Sequence, residues 1–356
     1  MPVPEGFAVP FAAHRADLDA LRRVVAEALA RMGDPPVAVR SSAANEDTPG
    51  ASAAGQYESF LAVQGAKAVT DAIRDCWDSA SAARVADYWR HAGGTTSSVP
   101  PMAVLVQRHI DAEVSGVMFT PSRPGDSTRI EASWGLGLTV VGGTVTPDAF
   151  EVGADGTVGR TIGDKTTRLD RHEGNAGVVA RGVPEHQRAL PALSDAAAAH
   201  LAALGGRVAG LFGGSQDIEW AVAGGTTWLL QARPVTAPLP PAPNGSPSFA
   251  AAALRGAPGA HGVATGTARI VGGPGDFQRV QAGDIVICPY TDPAWTPLFT
   301  IAGGVVTEIG GTLSHAAIVA REYGIPAVLG ITGAMTRVHD GARVTLDGTA
   351  GTLTPH

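Results

Sequence analysis

The 356-residue chain has only two cysteines, Cys76 and Cys288, far apart in sequence. That spacing excludes a disulfide framework, a CxxC redox pair and a cysteine-built zinc site, and it fits a reduced, cytoplasmic setting. Basic residues are also in short supply: 26 Lys and Arg against 33 Asp and Glu leave a net charge of −7. With no basic run, neither nucleic acid nor an anionic membrane surface is expected as the main partner. No apolar run reaches the ~18 residues of a membrane-spanning helix, and no signal peptide is read at the start. Internal repeats are absent too. What the chain does have is 44% hydrophobic residues, enough for two or three domains with proper cores. Its 46 glycines and 26 prolines do not imply disorder, because strand and helix patterns persist between them.

In the first part of the chain, Leu18, Leu21, Val25, Leu29 and Met32 recur at three- and four-residue steps and predict a helix over residues 17–32. VAVRSS, residues 37–42, reads as a strand running into the small-residue loop SSAANEDTPGASAAGQYESF. Small residues let backbone amides approach a polyanion, and Arg40 adds a fixed positive fork. An exposed arginine on a surface loop is the simpler alternative. A second helix is predicted over 66–91 and a third over 194–212, the latter with a serine cap and an apolar face of Leu201, Leu204, Val208 and Leu211. Residues 103–107 and 116–121 read as strands. Lys165 could reach phosphate, but a solvated loop lysine is the expectation.

Residues 216–221 alternate polar and apolar. After the Gly224-Gly225 turn, residues 227–233 return antiparallel. Pairing through that turn lets Glu219, Gln231 and Arg233 share one face. A carboxylate and an amide oxygen are hard ligands of the kind Mg²⁺ takes. A solvent-facing Glu–Arg pair would look the same. Residues 237–248, APLPPAPNGSPS, cannot form a packed element and are read as an exposed connector. In polyproline form, at ~3.1 Å per residue, a dozen residues reach roughly 37 Å. The interface between two parts so joined is expected to be modest and polar if it has to open and close.

Beyond the connector, residues 284–289 and 343–346 are strands. The chain is organised around residues 303–330, GGVVTEIGGTLSHAAIVAREYGIPAVLG. They read as a short apolar strand, a glycine turn, a helix opened by Ser314 and His315, and a return strand. A helix entrance carries free amides and the positive end of the helix dipole, which suit an anion. Spacing alone leaves a polar surface histidine as the alternative. The other histidines show no ligand spacing.

The wording of these stretches carries a resemblance. GGTLSHAAIVAREYGIPAVLG closely resembles the phosphohistidine segment of the phosphoenolpyruvate-utilising enzymes, through Gly310, Gly311, Ser314, His315, Ala317, Ala320, Arg321, Glu322, Pro326 and Gly330. VAVRSSAANEDTPGASAAGQYESFLAV, AVLVQ, GVMFTP, WGLG and TPD are similar to that family's ATP-binding domain, in its order. The resemblance implies an α/β (α+β) protein. An ATP-grasp-like ATP-binding domain over 1–236, its first lobe shortened, would be joined by the Pro-rich linker 237–248 to a small swivelling phosphohistidine domain over 249–356. It implies His315 as the phosphorylated residue, with Gly310, Gly311, Thr312 and Ser314 as its loop. Arg40, Gln107, Glu219, Gln231, Arg233, Gly55, Gln56 and Ser59 would bind ATP, and Glu219 and Gln231 would hold Mg²⁺. The activity implied is a dikinase-type phosphotransfer from ATP, giving AMP and phosphate. The acceptor would be an unidentified small molecule, free or brought by a separate protein. Here Met1 adjoins PVPEGF, so the glycine-rich, lysine-bearing segment that usually precedes it is expected to be missing. A third, substrate-binding domain is expected to be missing as well. Two further readings stay open: a catalytically incomplete phosphocarrier subunit, and ATP-grasp-type carboxylate activation.

Overall fold

Why the chain breaks into three large sheets, with a two-stranded ribbon of Thr167–Arg171 and Val178–Gly182 beside them, is visible in where its apolar residues alternate and where they run together. The computed structural model describes residues 2–44, 46, 57–82, 85, 101–123, 125–174, 176–236, 239 and 253–356. Gly55, Gln56 and nearly all of the predicted linker lie outside the described residues.

The first sheet is antiparallel, with strands Gly6–Val9, Met102–Arg108, Val37–Ala43 and Ser59–Val63 in that spatial order. Two helices pack on it, α1 (Leu18–Arg31) and α2 (Ala66–Ser79). Asp17 starts α1 as an N-cap, its carboxylate accepting from the amides of Asp19 and Ala20. Leu21, Val25 and Leu29 then form the buried stripe that the spacing predicted. The described part of α2 ends at Ser79, short of the predicted 91, and most of the stretch beyond lies outside the described residues. Val25, Leu29, Ile73, Trp77, Val104 and Val106 belong to one core.

The second sheet has six antiparallel strands: Thr226–Pro234, Gln216–Ala223, Val114–Phe119, Thr128–Trp134, Asp148–Val152 and Val158–Thr161. Helix α3 (Asp195–Phe212) covers one face, with Ser194 capping it through the amide of Ala197. Leu201, Leu204 and Val208 are buried as predicted, but Leu211 is 73% exposed. The last turn of α3, up to Gly213, stands in solvent, so the periodic pattern outlasts the surface that could bury it.

Lys165 also departs from expectation. It is fully buried, its Nζ bonded to Asp148 Oδ1 and to the Gly163 carbonyl at 3.1 Å. Asp148 further accepts from the amides of Gly163 (2.9 Å) and Ala192 (2.7 Å), so one buried carboxylate ties three segments together. The lysine neutralises the charge those amides draw in. Lys165→Met should therefore strand Asp148 and destabilise the protein by about 3–5 kcal/mol. Urea unfolding followed by circular dichroism measures this, and an unchanged midpoint would contradict the assignment.

The third sheet orders its eight strands as Leu254–Arg255, Thr352–Pro355, Arg343–Asp347, Val263–Ile270, Ile285–Cys288, Gly304–Thr307, Ala327–Leu329 and Ala257–Ala260. The four from Val263–Ile270 to Ala327–Leu329 run parallel. The last three of these are buried on both faces, which is why IVIC, GVVT and AVL read as unbroken apolar runs. Val286, Cys288 and Val305 face one core, and Ile285, Ile287 and Val306 the other. Helix α4 (His315–Tyr323) crosses over between two of these parallel strands and ends at Gly324, left-handed at φ 67°. His315 thus follows the carboxyl end of Gly304–Thr307, the edge where parallel sheets hold ligands. Cys76 and Cys288 are free and buried, and burial pushes the Cys76 thiol up to about 12 and the Cys288 thiol higher still. Among the described residues, no helix is long and apolar enough to cross a membrane.

Candidate functional site

The hairpin register places Glu219 opposite Gln231 and Asp217 opposite Arg233. Ile218 and Trp220 point the other way, into the core. The polar face meets Arg40, in the middle of the strand Val37–Ala43 of the other lobe. One guanidinium nitrogen, Arg40 Nη2, donates to Glu219 Oε2 at 2.5 Å and to Gln231 Oε1 at 2.7 Å. Arg233 donates through Nε and is ion-paired through Nη2 to the same Asp217 oxygen, both at 2.8 Å. Burial raises the Glu219 carboxyl, but the charge and hydrogen bond of Arg40, with Arg233 behind, outweigh it and hold the group below the usual range. At Asp217 burial wins over Arg233 and the carboxyl lies above the usual range.

Arg40, Glu219, Gln231 and Arg233 line a cavity of about 350 Å³. Ser59 and Gln107 line it too, Ser59 because it pairs with Arg40 in the sheet and Gln107 near the end of the neighbouring strand. Its far wall comes from the third sheet's domain: His315, Ile318, Asp292 and Pro293. The structure therefore brings His315 to the same cavity as Arg40, Ser59, Gln107, Glu219, Gln231 and Arg233. Gly55 and Gln56 are outside the described residues. His109, read as unremarkable in the sequence, lines the cavity with its side chain 4% exposed and Nε2 3.5 Å from Asp111. Burial lowers its pKa. His261, by contrast, is exposed and lies against Thr349.

His315 is the first residue of α4, with Ser314 at the N-cap. The Ser314 hydroxyl donates to the Gly311 carbonyl at 2.8 Å and so closes the loop rather than capping the helix. In front of it sits a residue that sequence reading did not single out. Glu131, fully buried on the strand Thr128–Trp134, accepts from the Thr312 amide (2.5 Å), the Thr312 hydroxyl (2.9 Å) and the Leu313 amide (3.2 Å). Burial raises its pKa, and those donors and Arg321 oppose the rise. Arg321 itself is buried, its pKa pushed down by burial to about 10, and it donates to the carbonyls of Gly259 and Thr312. Gly311 has to be glycine here, because a Cβ on it would stand 2.2 Å from Glu131 Oε2.

Around this contact Leu313 and Ile318 pack among Val117, Phe119, Val140 and Val145, with Val235 and Leu239 alongside. The expected polar interface is thus corrected: the docked surface is apolar, with a buried charge cluster inside it. The reason is that α4 presents its apolar residues on two sides, one to its own sheet and one outward.

The class follows from this arrangement: an ATP-grasp-like domain of two lobes with a smaller β/α domain docked over its cleft. Residues 2–241 match the pyruvate phosphate dikinase AMP/ATP-binding domain, and residues 280–351 the mobile domain of PEP-utilising enzymes. The chain belongs to the phosphoenolpyruvate-utilising enzyme family. It is 39% identical over 319 residues to a probable phosphoenolpyruvate synthase of Methanothermobacter thermautotrophicus, covering 88% of this chain and 46% of that protein. It is 37% identical over 331 residues to the phosphoenolpyruvate synthase of Pyrococcus furiosus, covering 88% and 40%. To that of Escherichia coli it is 34% identical over 352 residues, covering 92% and 44%. The chain spans less than half the length of these relatives.

Proposed function

We propose that the chain is a dikinase-type phosphotransferase that takes a phosphoryl group from ATP onto His315 and passes it to an acceptor. The observation that carries this is the shared cavity, which joins His315 to the Arg40–Glu219–Gln231 cluster across two domains. Glu219 Oε2 and Gln231 Oε1 converge on a single guanidinium nitrogen, so both oxygens already point at one cationic centre. That donor pair fits Mg²⁺, which would shield phosphate charge there with nucleotide oxygens completing its shell. Among the described residues, no group of three or more His, Cys, Asp or Glu forms a cage that could hold a metal by itself.

Arg40 and Arg233 neutralise charge on the transferring group, the main source of catalysis in phosphoryl transfer. An imidazole nitrogen of His315 attacks the β-phosphorus. The bond from that phosphorus to the bridging oxygen of AMP breaks, and AMP leaves with the electron pair. Water takes the terminal phosphoryl group as orthophosphate, leaving one phosphoryl group on His315. The covalent intermediate splits a transfer between two distant sites into two easier steps. In this reading the 249–356 domain occupies at least two positions, the setting is cytoplasmic, and the acceptor is a small molecule bound elsewhere or delivered by a partner protein. Chromatography of nucleotides and intact-mass measurement after mixing with Mg²⁺ and ATP test the proposal. AMP with an acid-labile gain of one phosphoryl group is expected, whereas ADP without an adduct would contradict it.

A further inference from the structure

The docked domain is held through a carboxylate, Glu131, bonded to the loop that leads into the helix of His315. All three hydrogen-bond partners of Glu131 are donors and Arg321 lies beside it, and these oppose the rise that burial imposes on the carboxyl. The carboxylate sits against the loop that leads into α4, at the positive end of that helix. His315 begins the helix two residues after Leu313, and the chain between them spans at most about 7 Å. The first-turn amides of α4 have no intrahelical acceptor and face the same end, so phosphoryl oxygens on His315 are drawn to where Glu131 already stands.

We propose that Glu131 is a charge-sensing latch that docks the domain while His315 is unmodified and repels it once His315 is phosphorylated. This rests on the phosphohistidine reading above and deepens it. When AMP and orthophosphate leave, they carry away the nucleotide's charge, but the phosphoryl charge stays on His315, at the start of the helix whose entry loop the buried Glu131 holds. Repulsion in that water-poor contact is strong, and undocking hydrates both groups. The nearby cations are already engaged: Arg321 is bonded to two carbonyls and shared among Glu131, Asp217 and Glu322, Arg233 is paired with Asp217, and Arg40 is bonded to Glu219 and Gln231. Glu131 is thus a positioning residue, acting on where His315 spends its time.

Spin labels at two exposed sites, Leu211→Cys and Val263→Cys, would report the distance between the domains, since the native thiols are buried. His315 is loaded either by Mg²⁺-ATP or directly by phosphoramidate, with intact mass as the check. In the labelled parent, loading should lower the docked-to-undocked ratio by about five- to hundredfold, the ordinary range of coupling. In Glu131→Gln the same loading should change it by less than about twofold. Gly311→Ala, whose Cβ overlaps the Glu131 carboxylate, should be undocked with or without phosphoryl. Release of phosphorylated Glu131→Gln as complete as that of the parent overturns the latch, and so does a docked Gly311→Ala. Loading by phosphoramidate but not by ATP would keep the latch and refute the ATP step. A histidine that neither reagent loads refutes both.

Discussion

Alanine in place of His315 should remove covalent phosphate entirely and leave nucleotide affinity within about twofold, because the cavity's nucleotide-facing charges come from the other domain. Arg40, Glu219, Gln231 and Arg233 all precede residue 236, and their mutual bonds do not involve His315. Calorimetric titration with ATP and intact mass after exposure to Mg²⁺-ATP separate the two effects. A variant that still gains the phosphoryl mass would place the acceptor nitrogen elsewhere. One that loses nucleotide affinity by the same factor as it loses labelling would make His315 a binding residue instead.

The second large effect is expected at Glu219 and Arg40. Glu219→Gln removes the charge opposite Gln231 and leaves Arg40 without its anionic partner. Arg40→Lys keeps a charge but loses the guanidinium's remaining donors, which are needed to hold phosphate while Nη2 stays on Glu219 and Gln231. Each change should slow AMP formation by about a hundredfold or more, the usual cost of losing a preorganised electrostatic group at a reacting phosphate. Raising Mg²⁺ should recover part of the Glu219→Gln loss and none of the Arg40→Lys loss, which separates a metal role from a phosphate role. Near-wild-type rates in both variants would reduce the cluster to a cross-strand ion pair.

How much of this was legible in the chain depended on how local the determining contacts are. The Glu219–Gln231 pairing could be read from a two-glycine turn and a two-residue period. The His315 helix could be read from a strand, a glycine turn and a serine at the N-cap. Glu131 could not. It sits in TRIEASW, an alternating strand in which a glutamate usually faces water, and its partners are 181 and 182 residues away. Lys165 looks solvated in the sequence for the same reason, since Asp148 makes its burial tolerable and only the folded register shows it. The apolar docking face was hidden differently. Leu313 and Ile318 fit the pattern of a helix packing on its own sheet, and nothing in a period of 3.6 says that a second surface lies outside it.

That face changes the picture of the swivel. Burying side chains such as Leu313 and Ile318 contributes roughly 1.5–3 kcal/mol each when complete, so the docked position is held by more than a tether. A domain held this way needs a reason to leave, and a charge change on His315 beside Glu131 provides one.

The central claim is that the phosphoryl group on His315 comes from the β-position of ATP bound in the shared cavity. ATP labelled with ³²P at the β- or at the γ-position tests it most directly, with the protein digested under alkaline conditions to keep phosphohistidine intact. The prediction is that β-label is retained on the peptide containing His315 while γ-label appears as free orthophosphate. Retention of γ-label on that peptide, or label on neither, would contradict it.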